Sequence, residues 1–420
     1  MSSGTREYTR THPWIKFLVD LRACPHDLWI MLGECQSKIE HLAGVPLRPN
    51  TAKKLQNLYL AKGVRATTAI EGNTLTEAQV LDAVNHTLKL PPSQQYLQQE
   101  VNNIIDACNT LLATAMVSTT ASCSVEKIRA FNVSVLKGLK VEEHVVPGEY
   151  SSTGLTVGRY RAAPRRDTEY LVEKLCEWLN GNAFAPSGEL QTGMAILKAI
   201  LAHLYIAWIH PFGDGNGRTA RLIEFEILLH AGVPAPAAHL LSNHYNLTRE
   251  EYYRQLDLTS KSNGDIIPFI SYAVQGLRDG LRDQIQYVRT EQRDVVWRNF
   301  VHEKFRDLNT AADIRRRHLV LDLSMQEAGV PRSALQTVST RIATAYARKG
   351  EKTLSRDLNE LKAMELVLRT PALSGHEKSK WIWSANKSLI DAFLPVRRSN
   401  NSESAEPKAP KRTRNSLAAR

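Results

Sequence analysis

The chain is poor in cysteine: five in 420 residues (Cys24, Cys35, Cys108, Cys123 and Cys176), an odd number with no CxxC pair. That usage argues against a disulfide framework and against structural zinc, and the thiols are expected to be reduced core residues. A secretory leader is also missing from the reading, because MSSGTREYTRTHPW at the N-terminus has no apolar segment. The longest apolar stretch, Ala195 to Ile209, is broken by Lys198 and His203, so no membrane partner is expected and the cytoplasm is the expected compartment. Runs of alternating polarity are scarce, which leaves little room for a large sheet. No internal repeat is visible, and no Gly-Lys-Ser/Thr follows any glycine cluster, which excludes a Walker A loop.

What is present is mainly α. Hydrophobic residues make up 43% of the chain, enough for real cores, and they recur at helical spacing over long segments. The length suits two or three domains. The net charge of +11 is uneven: from Val396 to Arg420 there are seven Lys or Arg against two Glu, in a segment rich in Ser, Asn, Pro and Ala without an aromatic residue. Such a tail, 396–420, is expected to be disordered and solvated.

The most informative segment is His210 to Arg221, HPFGDGNGRTAR. It follows a helix-period run (Met194, Leu197, Leu201, Leu204, Tyr205, Trp208) and precedes another, Leu222 to Leu229, closed by Ala231-Gly232. It therefore reads as a loop that opens a helix. Backbone N–H groups at such a helix start are unpaired and the helix dipole adds positive charge, so phosphate is the natural guest. Gly213, Gly215 and Gly217 are expected to supply positive φ and close backbone approach, with Asn216 tolerating the same conformations. Asp214 is a hard oxygen ligand suited to Mg²⁺ rather than zinc. Arg218 and Arg221 lie three apart, share a helix face and can fork onto successive phosphates. His210, outside the nest, is neutral often enough near pH 7 to accept a hydroxyl proton. Turn chemistry explains any one of these residues; it does not require the His, the Phe and both arginines at those offsets.

HPFGDGNGRTAR fits the Fic signature, HxFx(D/E)GNGRxxR, at every fixed position, and the chain resembles that family beyond it. Asn246 to Tyr253, the Asn263-Gly264-Asp265 turn and an apolar helix from Ile267 look like the segment after the motif; Pro147-Gly148-Glu149-Tyr150, Val157-Gly158 and Tyr170 to Asn180 resemble the flap hairpin and the helix that follows it. The resemblance implies a helical core with a small β-hairpin flap, and transfer of AMP from ATP to a Ser, Thr or Tyr hydroxyl of a protein target or of the enzyme itself. In that reading His210 is the base, and Asp214 holds Mg²⁺ between the α- and β-phosphates. Gly213 and the amides around Gly215, Asn216 and Gly217 cradle phosphate, Arg218 takes the β-phosphate and Arg221 the γ-phosphate. Tyr252 and Tyr253 are the candidates for stacking on adenine.

Upstream, Thr67 and Glu71 share a helical face that Gly72-Asn73 should terminate, and Thr74-Leu75-Thr76-Glu77 reads as a capping box opening the next helix. Alone this is a helix-turn-helix corner. Beside a Fic motif it resembles the (S/T)xxxE(G/N) inhibitory helix, which implies that Glu71 pairs with Arg221 and excludes the γ-phosphate. Near the C-terminus, KTLSRDLNELKAMELVLR resembles the recognition helix and wing of winged-helix domains: a helix N-capped at Thr353, a strand at Glu365 to Arg369, a polar loop, and a strand at Trp381 to Trp383. Arg356 and Lys362, with Lys378 and Lys380 on the wing, are candidates to reach DNA, with Asp357 and Glu360 diluting the positive face. The expected organisation is an N-terminal helical region with the inhibitory helix (1–85), a Fic core (86–285), a winged-helix-like domain (286–395) and the tail. Two other functions stay open: removal of AMP at the same site, and a DNA-binding regulator that senses nucleotide. A homodimer stays open as well.

Overall fold

The computed structural model describes residues 6–117, 122–158, 160–185, 190–372 and 381–391. It divides into two compact units, Met1–Thr290 and Glu291–Arg420.

In the first unit, helix α1 (His26–Gly44) and α2 (Pro49–Ile70) lead into α3 (Glu77–Val84), α4 (Gln95–Ala115) and α5 (Val125–Leu136). A hairpin of two short antiparallel strands follows, β1 (Thr156–Val157) with β2 (Tyr160–Arg161), then α6 (Arg165–Asn180). Helices α7 (Gln191–Ile209) and α8 (Asn216–His230) flank the glycine-rich loop, followed by α9 (Leu240–Leu247), α10 (Arg249–Lys261) and α11 (Ile267–Lys304), of which the residues up to Thr290 belong to this unit. Residues on both sides of position 85 share one hydrophobic cluster that runs from Ile15 to Val288, so the first 85 residues are packed into the same body as the motif.

Helix α7 is apolar over most of its surface because most of it is buried, from Met194 and Leu197 to Leu204, Trp208 and Ile209. It is long and apolar enough to cross a membrane by composition, and its burial among neighbouring helices accounts for that composition. Helix α2 ends where Gly72 turns the chain at φ 104°. The capping box that starts α3 is displaced from the expected residues: Thr76 caps Gln79 N and Gln79 returns its side chain to Thr76 N, so Thr74 and Glu77 are not the pair. The shift puts Leu75, which is buried, immediately before the cap.

The second unit contains α12 (Ala311–Leu323), α13 (Thr340–Tyr346), α14 (Glu351–Ala363) and an antiparallel three-stranded sheet of order β3-β5-β4, with β3 at Val330–Pro331, β4 at Val367–Pro371 and β5 at Trp381–Ala385. Its core gathers Leu319, Val320, Leu335, Ile342, Leu354, Leu358, Leu361 and Trp383. Gly350, not Thr353, stands at the N-cap of α14. Arg356, Glu360 and Lys362 are exposed on α14, but Asp357 is buried: it accepts from Arg315 Nε at 2.7 Å, Arg316 Nε at 2.9 Å and the Tyr346 hydroxyl at 2.7 Å. Asp357 thus ties α12, α13 and α14 together and adds no negative charge to the exposed face. Lys378, Lys380 and the 396–420 tail lie outside the described residues.

Candidate active site

The loop between α7 and α8 is built from both ends. His210, the C-cap of α7, has φ 51°, a left-handed conformation that costs a non-glycine residue about 1–2 kcal/mol. The backbone leaves the helix there, Ser151 N donates to Pro211 O, and Phe212 turns inward, 1% exposed, bridged to Tyr150. Asn216 then closes the loop on itself: its Oδ1 accepts from Phe212 N at 2.9 Å and its Nδ2 donates to Phe212 O at 2.6 Å. From α5, the fully buried Asn132 donates to Asp214 O at 2.8 Å and accepts from Gly148 N at 2.9 Å, pinning the nest to the segment before the hairpin. Nothing in the local sequence marks Asn132 for this role.

Of the three glycines expected at positive φ, only Gly215 has it, at 76°. The other two are required by neighbours instead. A Cβ on Gly213 would come within 2.8 Å of Val145, and a Cβ on Gly217 would lie 2.2 Å from Glu71 Oε1 and 3.0 Å from Arg221 Nη1. Gly217 is therefore the space into which Glu71 fits.

Thr67 and Glu71, at the end of α2, meet Arg221 across a separation of 150 residues or more. Arg221 Nε donates to Thr67 Oγ1 at 2.5 Å, and Nη2 donates to Thr67 O at 3.0 Å and to Glu71 Oε1 at 2.5 Å. The Arg221 side chain is 2% exposed against 30% for Glu71, so Glu71 is the more accessible partner. Burial, the largest influence, raises the Glu71 carboxyl, but the charge and hydrogen bond of Arg221 together with the charge of Arg218 outweigh it and leave the group below its ordinary range. For Arg221, likewise, burial opposes the charge, and Glu71 together with Tyr252 and Tyr253 overcomes it. His210 is held below the ordinary histidine range, chiefly by burial and against a hydrogen bond to the Ala207 carbonyl, so at pH 7 it is neutral.

His210, Gly217, Arg221, Glu71, Tyr252 and Tyr253 line one cavity of about 640 Å³, whose rim includes Val157, Gly158 and Tyr160 of the hairpin. The Tyr252 hydroxyl contacts His203 Nε2 at 2.9 Å, and Tyr253 is 42% exposed. Asp214 and Arg218 are not among the lining residues. Arg218 is turned to a carboxylate that sequence reasoning missed: Nη1 donates to Glu100 Oε1 at 2.5 Å, while Nη2 donates to Asp214 Oδ1 at 3.0 Å. Only the distance from α4 to α8 in the folded chain could reveal Glu100. Among the described residues no group of three or more His, Cys, Asp or Glu is placed to hold a metal ion, and Asp214, the carboxylate of the loop itself, is 48% exposed.

Residues 122–228 match the Fic/DOC family. The protein adenylyltransferase fic-1 of Caenorhabditis briggsae is 27% identical over 234 residues, 55% of this chain and 42% of that protein. The protein adenylyltransferase Fic of Drosophila grimshawi is 30% identical over 240 residues, 55% of this chain and 43% of that one. The chain thus spans less than half the length of these two relatives. Among solved structures, a Fic family protein from Desulfovibrio desulfuricans G20 covers 85% of this chain and 95% of its own, with 21% identity and a TM-score of 0.51. Fic-1 (residues 134–508) from C. elegans covers 63% and 74%, with 24% identity and a TM-score of 0.50. Both structural likenesses concern the fold. With the HPFGDGNGRTAR loop set between two buried helices as described, this chain carries a Fic/DOC family domain.

Proposed function

We propose that this protein transfers AMP from ATP to a hydroxyl on a protein target or on itself, and that Glu71 restrains the transfer. The observation that carries the reading is one cavity holding a neutral His210, the Gly217 amide at the start of α8, and an Arg221 already occupied by a carboxylate. In the reaction the target oxygen attacks the α-phosphorus as its proton passes to His210 Nε2 or Nδ1; the new O–P bond forms, the bond to the β-phosphate bridging oxygen breaks, and pyrophosphate leaves. Positioning and preorganised charge supply most of the rate. The helix-start amides and Arg218 balance phosphate charge, Arg221 takes the γ-phosphate once free of Glu71, and Tyr252 and Tyr253 form the wall against the base. Asp214, a single hard carboxylate, is the residue that would hold Mg²⁺; bound there, the ion would neutralise phosphate charge.

Incubation with ATP labelled at the α-phosphate, with and without Glu71→Gly, tests this. Label on protein, increased by the substitution, is expected; ATP binding without label in either protein would sink it. The partial exposure of Glu71 toward the cavity also suits a carboxylate that orients water, so release of AMP from an adenylylated protein is the second reading, to be checked with such a protein as substrate. For the second unit, the strand order and the exposed Arg356 and Lys362 support a winged helix with DNA as its partner.

A further inference from the structure

We infer that Glu100 is a second restraint on the nucleotide site, acting on Arg218 as Glu71 acts on Arg221. It rests on reading the cavity as a nucleotide site. Glu100 sits on α4, outside the segment that carries Glu71, and its side chain is 13% exposed against 6% for Arg218. Its two oxygens have different partners: Oε1 accepts from Arg218 Nη1 at 2.5 Å, and Oε2 accepts from Asn73 Nδ2 at 2.8 Å. Asn73 follows Glu71 by two residues, and its Oδ1 accepts from Leu75 N at 3.0 Å. The end of α2 is therefore tied to both arginines, to Arg221 directly and to Arg218 through Glu100.

Three observations separate restraint from a mere orienting role. Arg218 is held without Glu100, since it is 5% exposed and its Nη2 is already bonded to Asp214. Its Nε is buried without a hydrogen-bond partner in this arrangement, so the guanidinium is not in a conformation that satisfies all its donors. And Arg218 is absent from the cavity lining, so it must give up or share Glu100 to meet a phosphate. The charges point the same way. Glu71, Glu100 and Asp214 against Arg218 and Arg221, with His210 neutral, leave the cluster one charge negative, a poor host for an anionic ligand. Removing Glu71 brings it to neutrality; removing Glu100 as well makes it positive.

The test compares Glu71→Gly with Glu71→Gly/Glu100→Gln in the full chain, by calorimetry with AMP and ADP and by initial rates of self-labelling. Glutamine keeps the shape and an acceptor while removing the charge. ADP affinity is expected to rise roughly tenfold with AMP affinity changed far less, because only ADP presents the β-phosphate, and the KM for ATP is expected to fall. Weaker ADP binding in the double variant would make Glu100 an orienting residue and overturn the proposal; equal loss of AMP and ADP affinity would reduce it to a structural contact and do the same. Should Glu100→Gln fail to fold, Glu71→Gly/Asn73→Ser removes the amide donor that holds Glu100, together with its bonds to Leu97 O and Leu75 N, and is expected to shift ADP binding in the same direction by less; no shift in the folded variant overturns the proposal. A Glu71→Gly protein that binds no ATP at all would overturn the nucleotide reading itself, and Glu100's role with it.

Discussion

Glu71→Gly removes one carboxylate and leaves Arg221 buried beside an empty space, which Gly217 already keeps clear of any Cβ. Two unit charges about 4 Å apart in an effective dielectric of 20 attract by about 4 kcal/mol. The accessible side of Glu71 and the cost of drying Arg221 reduce the net hold to about 2 kcal/mol, a ratio of roughly 30 between restrained and free arrangements. Initial rates of self-adenylylation should then rise about 30-fold in Glu71→Gly, and less in Glu71→Gln, which keeps a hydrogen-bond acceptor without the charge. Adding Arg221→Ala should erase the gain, because the freed guanidinium is the group that aligns the γ-phosphate. Thr67→Ala should activate by less, since Thr67 contacts Arg221 through its carbonyl as well as its hydroxyl and the carbonyl survives the change. The assay is label transfer from ATP carrying the α-phosphate label, with ATP binding measured separately in a His210→Ala background. A Glu71→Gly protein that binds ATP yet labels no faster than the parent would refute the reasoning.

His210→Ala should lower transfer by at least roughly 10²–10⁴-fold with ATP affinity and melting temperature little changed, because the helix start and both arginines remain; retained transfer in the folded variant removes His210 from the chemistry. Since burial lowers the His210 pKa, the base is neutral above that lowered value and is lost as pH falls through it, so the acid limb of kcat/KM in Glu71→Gly should lie below pH 6.5, the ordinary histidine value. A limb at or above that value contradicts the site as drawn. In the second unit, Asp357→Ala leaves Arg315, Arg316 and Tyr346 without their shared acceptor and should cost that unit roughly 3 kcal/mol or more, read from chemical denaturation. If that unit binds DNA, a chain ending at Pro395 should bind in a salt-sensitive way, and Arg356→Ala should lower the slope of log K against log salt by about one; binding only by chains that include the tail would assign it to the polycation instead.

The sequence alone determined the elements whose cause is local. An apolar run at helical spacing, a glycine-rich turn and a second helix were legible around residues 210–221 because periodicity and turn chemistry act within a few residues. The same holds for the strands at 367–371 and 381–385, the first shifted by two residues from the expected 365–369 and the second two residues longer than the expected 381–383, since boundaries depend on neighbours more than on propensity. The pairing of Glu71 with Arg221 was expected only through a family resemblance, because nothing local connects groups so far apart in the chain. What tertiary structure decided is what depends on approach between elements. Gly213 and Gly217 are glycines for want of room, against Val145 and Glu71, and not for want of a permitted φ. Asp357 reads in sequence as one more exposed charge, yet burial against two arginines makes it a tie between helices. Asn132 and Glu100 carry no signature in sequence: each is an ordinary helical residue until packing of α4 and α5 against α8 brings it to the loop, where water is scarce and each polar group must find a specific partner.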